Sequence, residues 1–139
     1  MHTPEPISGT ILLIGNDGRM PATHAALEQA GFAVITAATA AEGLAMARAH
    51  TPNLVISDVM LERPDAGFVL SYQLKKDPAL AAIPLILLSS VFEQTGIVFD
   101  LSSPEGRQWI KADLYLDCPI SPERLAGKVR GLLLHRQTA

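Results

Sequence analysis

Short runs that are apolar at every position recur along the chain, and the segments between them carry apolar residues at helical spacing. A run without polar alternation reads as a strand buried on both faces. Ile11-Leu12-Leu13-Ile14 is the first such strand and stops at Gly15-Asn16-Asp17-Gly18. A helix is predicted from about Pro21 to Ala30, with proline early, where its missing N–H costs little, and Gly31 as the C-terminal stop. Phe32 to Thr36 is strand two. Thr39-Ala40-Ala41-Glu42 has capping-box spacing, and it opens an alanine-rich helix that ends before Pro52.

The third strand is Leu54-Val55-Ile56, delivering Asp58 at its C-terminal end before a loop that holds Pro64 and Gly67. Phe68 to Lys76 reads as helix three, with Leu70 and Leu74 one turn apart, closed by Asp77-Pro78. Leu85 to Leu88 is strand four, ending in Ser89-Ser90. From Ser90 to Ala112 the periodicity weakens, and only Pro104 to Lys111, capped by Ser103, has the makings of a short helix. Leu114-Tyr115-Leu116 is strand five, before Asp117-Cys118-Pro119. Ser121-Pro122-Glu123 starts the last helix, where Leu125, Val129, Leu132 and Leu133 form one apolar stripe.

Strands that alternate with helices, without an internal repeat, predict an α/β fold: a doubly wound, five-stranded parallel sheet with helices on both faces and right-handed crossovers. In the flavodoxin-like strand order 2-1-3-4-5 the chain reverses direction across the sheet between strands one and three. That crevice would hold Asn16, Asp17 and Asp58.

The length of 139 residues fits one domain, placed at residues 10–134, with a flexible lead-in at 1–9 and a polar tail at 135–139. A net charge of −3 with no basic run argues against a nucleic-acid surface. The longest apolar run, Leu80 to Leu88, is broken by Pro84 and is far short of a membrane span. The N-terminus lacks the pattern of an export signal, and one cysteine cannot form an internal disulfide, so a cytoplasmic protein is expected. His2, His24, His50 and His135 are scattered over termini and helices and suggest no ligand set. The turn after strand one is not a phosphate cradle, and no nucleophile and base pair stands out, which argues against an enzyme or a flavin carrier.

The ordered set Ile11 to Asp17, Ser57-Asp58-Val59-Met60-Leu61, Asp65-Ala66-Gly67-Phe68, Ile83 to Ser90 and Ala112 to Pro119 resembles the receiver domains of two-component response regulators. The resemblance covers the chain from about Thr10 to Leu134. It implies phosphoryl transfer from a kinase histidine to an aspartate, with a divalent metal held at the end of strand one. By position Asp58 resembles the phosphoacceptor, and Asn16, Asp17, Asp58 and the Met60 backbone carbonyl the metal ligands. Ser89 matches the phosphate-sensing hydroxyl, Tyr115 the switch aromatic, and Pro119 the proline that usually follows a cis peptide bond. The residue types suit the chemistry: a carboxylate nucleophile attacks phosphorus, and oxygen ligands suit the hard cation Mg²⁺.

The departures are as specific. Gly15 and Asn16 stand where the family usually has acids, which implies weakened metal binding, because a neutral ligand gives up Coulomb attraction. For Asn16 and Asp17 the competing interpretation is plain Asn-Asp-Gly turn chemistry. Cys118 replaces the usual lysine, so a phosphate on Asp58 would lack a charge-assisted partner worth about 1.5–3 kcal/mol; a small buried thiol is the expectation there. Lysines elsewhere are poor substitutes, since Lys75 and Lys76 lie in helix three and Lys111 precedes strand five, although Lys111 could reach in from the loop. The Val91 to Lys111 segment, which includes Trp109, does not resemble the family's fourth helix and predicts an atypical one, although a subgroup of bacterial receivers looks similar here.

The resulting expectation is a stand-alone, non-enzymatic receiver in a phosphorelay, accepting a phosphoryl group on Asp58 with weak Mg²⁺ binding. The alternative is a pseudo-receiver that acts as a phosphorylation-independent interaction module. Expected partners are a sensor histidine kinase or phosphotransfer protein, a downstream protein, and a second copy through the face from strand four to the fifth helix, with no nucleic acid or membrane.

Overall fold

A computed structural model of the chain describes residues 9–15, 20–58, 66–89, 114–117 and 120–138. In chain order the elements are β1 (Thr10–Ile14), α1 (Met20–Gln29), β2 (Ala33–Ala37), α2 (Ala40–His50), β3 (Leu54–Asp58), α3 (Ala66–Lys76), β4 (Leu85–Ser89), β5 (Leu114–Asp117) and α4 (Pro122–Thr138). The strands form one sheet in the order β2-β1-β3-β4-β5, parallel throughout. This is the doubly wound, flavodoxin-like arrangement that the apolar blocks predict. The stretch expected to hold an atypical fourth helix, 91–111, lies outside the described residues.

Period-two alternation divides the strand side chains between two cores. Ile11, Leu13, Leu54, Ile56 and Ile86 face α1 and α4, where Leu27, Leu125 and Val129 cover them. Leu12, Ile14, Val55, Leu85 and Leu87 face α2 and α3, under Ala47, Leu70 and Leu74. With helices on both sides the central strands have no solvent face, which is why they show no polar alternation.

The helix ends show where local rules operate. In α2, Thr39 caps the helix by accepting the Glu42 N–H at 3.1 Å, and the Glu42 carboxylate accepts the Ala38 N–H at 3.3 Å, one residue before the cap. Helix α1 closes with Gly31 at φ 101°; its N–H reaches Glu28 O, and the Phe32 N–H reaches Leu27 O at 3.1 Å. That closure engages Phe32, so β2 begins one residue later than its apolar run suggests. Helix α3 starts at Ala66 rather than Phe68, because Ala66 and Gly67 are buried in its first turn. Helix α4 runs to Thr138, through most of the stretch expected as a tail, since no glycine or proline stops it beyond Gly131.

Gly43 shows a constraint of a different kind. A β carbon there would meet Ile14 Cδ1 at less than contact distance and Ile14 Cγ1 at 3.0 Å, so α2 lies on β1 through a bare backbone. Ile14 is itself enclosed. At the helical glycines Gly127 and Gly131 an added β carbon would meet nothing within 4 Å. Overpacking a core typically costs about 1–3 kcal/mol, whereas Gly→Ala on an open helix face gains about 1 kcal/mol. Urea denaturation should therefore show Gly43→Val destabilised and Gly127→Ala and Gly131→Ala stabilised. A Gly43→Val protein as stable as the parent would refute the close approach.

The opposite end of the sheet is tied by side chains. Lys75 Nζ donates to Ile83 O at 2.9 Å and Ala81 O at 3.3 Å, while the Asp77 carboxylate accepts the Ala79 N–H and lies 3.4 Å from Arg48 Nε. Lys75 thus secures the connection that leads into the N-terminal end of β4.

Candidate functional site

Asp58 is the last residue of β3, the central strand, at the C-terminal edge of the sheet. Its neighbours follow from register. Ile14 pairs with Ser57, so Gly15 follows on β1 beside Asp58; on the other side Asp58 pairs with Leu88 of β4. Three strands therefore converge on one carboxylate at the edge where parallel sheets of this type place their ligands.

The side chain of Asp58 is partly buried. Residue 57 supports it from below: Ser57 is fully buried, and its hydroxyl donates to the Asp58 carbonyl at 2.9 Å. The carboxylate lies over Gly15. A β carbon on Gly15 would stand 2.5 Å from Asp58 Oδ2 and 3.2 Å from Asp58 Cγ, with Met20 Sδ at 2.9 Å. The Gly15 backbone is held by its N–H, which donates to Ala37 O at 3.0 Å. Beyond Gly15 opens a groove of about 430 Å³ between the start of α1, the end of β2 and the first turn of α2, with Met20, His24 and Glu42 on its walls.

The other expected site residues divide by position. Ser89 ends β4 one residue beyond the partner of Asp58 and pairs with Asp117, and Tyr115 pairs with Leu87 on β5, so the backbones of both approach this edge of the sheet. Asn16, Asp17, Met60, Cys118 and Pro119 lie outside the described residues. Lys75 is anchored at the far end of the sheet and does not replace the missing lysine. Among the described residues no group of three or more His, Cys, Asp or Glu is gathered as a metal site. Of the expected ligand set they supply the Asp58 carboxylate, a hard oxygen donor of the kind Mg²⁺ takes. The contribution of Gly15 was the feature that sequence reasoning missed. Its signal was present as a departure from the expected acid, but the direction in which Asp58 leans is not encoded locally.

A doubly wound parallel sheet in the order β2-β1-β3-β4-β5, with Asp58 at the C-terminal end of its central strand, is a receiver-type α/β architecture. The comparisons agree. A response regulator protein from Burkholderia multivorans, solved in solution, is 30% identical, with a TM-score of 0.66 over 88% of this chain and 93% of that one. A CheY-like response regulator receiver domain from Methanospirillum hungatei is 26% identical with a TM-score of 0.75, covering 93% and 96% of the two chains. Response regulator Rre1 of Synechocystis sp. is 33% identical over 137 residues, which is 97% of this chain and 55% of that protein. No protein-family model matches the sequence. The chain belongs to the response regulator receiver family of two-component signalling. It spans 40–55% of the length of the first curated relatives that it matches. Among the described residues no helix is long and apolar enough to cross a membrane.

Proposed function

We propose that Asp58 is the phosphoacceptor of this receiver. The single observation that carries the reading is the position of its carboxylate at the C-terminal end of the central strand, between the ends of β1 and β4. A carboxylate oxygen of Asp58 attacks phosphorus, a P–O bond forms, and the bond to the donor breaks, so that the donor leaves with its electron pair. Asn16, Asp17 and the Met60 carbonyl are the remaining candidate ligands of Mg²⁺, which when bound neutralises charge on the transferring phosphoryl oxygens. With Gly15 and Asn16 in place of acids, its binding is weak. Ser89 serves as the phosphate-sensing hydroxyl and Tyr115 as the switch aromatic, while Cys118 leaves the phosphate without the ammonium partner that the family usually provides. A histidine kinase or phosphotransfer protein is the donor, and a downstream protein, or a second copy, reads the result.

A second reading is favoured by Gly15 specifically. The Asp58 carboxylate packed over it leaves the described part of the site with one acid, and a receiver so depleted would act by partner binding alone. Intact mass after incubation with Mg²⁺ and acetyl phosphate, beside Asp58→Asn, separates the two readings.

A further inference from the structure

We infer that the groove between the start of α1, the end of β2 and the first turn of α2 binds a small planar organic cation, an amidinium or guanidinium on a short apolar body, with the Glu42 carboxylate as its anchor. The inference stands apart from the phosphoacceptor reading and holds whether or not Asp58 is labelled.

The shape comes from three elements that meet at the C-terminal edge of the sheet. Met20 and Pro21 open α1, Ala37 ends β2, and Glu42 lies in the first turn of α2. The space between them is about 430 Å³, within the range of about 300–1,000 Å³ that small-ligand pockets occupy. Its lining is largely apolar, and the polar side chains on it are few: His24, Thr36 and Glu42. Such a site suits a compact ligand with one polar end.

The sign of that polar end follows from charge. Two helices begin at the groove, and helix N-termini usually attract anions, each being equivalent to roughly half a positive charge. Here an acid already takes that place. Glu42 accepts the Ala38 N–H at 3.3 Å while its own N–H donates to Thr39 Oγ1 at 3.1 Å, so the residue is held at both ends with its carboxylate on the groove wall. The Asp58 carboxylate lies against Gly15, which also lines the groove, and adds a second negative charge. Two full negative charges against about one positive leave a net attraction for cations. No lysine or arginine is among the described residues that line the groove, and His24 is engaged with Glu28, its Nε2 3.8 Å from Oε1. A planar cation fits best, because an amidinium or guanidinium offers a carboxylate two parallel N–H donors, a more directional pairing than a point charge makes. The apolar body is covered by Met20 and Ala37, which a bare inorganic cation would leave unused.

The test uses benzamidine as the probe, with benzamide as its neutral isostere and benzoate as an anion of the same shape. Each is titrated into the full chain and followed through backbone amide shifts in NMR spectra. Benzamidine is expected to give saturable shifts centred on Gly15, His24, Ala38 and Glu42 with half-saturation at about 1 mM, and benzamide and benzoate to bind about fivefold more weakly or worse. Glu42→Gln removes the charge and keeps the capping box, since glutamine serves at that position too. It is expected to melt at the wild-type temperature and to weaken benzamidine binding by about fivefold while leaving benzamide unchanged. Shifts that are equal for benzamidine and benzamide, or that lie away from the groove, overturn the inference, as does a Glu42→Gln protein that binds benzamidine like the wild type. So does the absence of saturable shifts with benzamidine up to about 20 mM, well above the expected half-saturation. The comparison of the three probes is made on the wild type, so it decides the matter even where the variant fails to fold. Groove shifts that grow with protein concentration, without any probe, would assign the groove to a second copy of this chain and overturn the inference likewise.

Discussion

Acetyl phosphate and Mg²⁺ are expected to add one phosphoryl group to the wild-type protein and none to Asp58→Asn. The carboxamide keeps the size and shape of the side chain but offers no anionic oxygen to attack phosphorus, so the acyl phosphate cannot form. Because Asp58 sits partly exposed at a strand end, the substitution should leave the fold intact, and equal melting temperatures would make the loss of labelling a statement about chemistry. On the proposed reading, in which Cys118 stands where the family usually has a lysine, the adduct would also lack a charge-assisted hydrogen bond typically worth about 1.5–3 kcal/mol. Its accumulation should therefore be incomplete and should rise with donor concentration. Adducts of equal number on Asp58→Asn would move the reaction to another residue, and an unlabelled wild type would leave the interaction-module reading standing.

Ile56→Ala is expected to destabilise the protein by about 2–5 kcal/mol. Ile56 has no exposed surface and lies on β3 between Leu13 of β1 and Ile86 of β4, beneath helices α1 and α4. Three strands and two helices converge there, so no single neighbour can move into the space without leaving its own contacts, and most of the cavity should persist. The change would appear as a lower urea midpoint at unchanged slope. A loss below about 1 kcal/mol would mean that this core collapses around the cavity, contrary to the packing described. Since Ile56 lies two residues before Asp58 on the same strand face, the same variant reports how far the site depends on the core beneath it.

Much of this architecture was legible in the chain. Apolar blocks at Ile11–Ile14, Leu54–Ile56 and Leu85–Leu88 encode strands covered on both faces, and a strand pattern of that kind leads to a parallel sheet almost without alternatives. The box at Thr39 and Glu42 and the stop at Gly31 are local chemistry, decided within a few residues, and both were readable. So was the place of Asp58 at the end of a buried strand, on the C-terminal edge of the sheet.

What the chain could not disclose depends on atoms brought together from distant positions. Gly43 and Gly127 look alike as helical glycines, yet one lies against Ile14 and the other faces open space. Lys75 was legible as a helix-three lysine, but only the turn after α3 brings the carbonyls of Ala81 and Ile83 to its ammonium group. Gly15 looked like a missing acid until the β1–β3 register set it beside Asp58 and the carboxylate filled its place. The physical reason is the same in each case. Periodicity and capping record whether a position is buried and how the backbone turns, which neighbouring residues determine. Which atom fills the space at a given position is set by strand register and helix docking, and those exist only once the sheet has assembled.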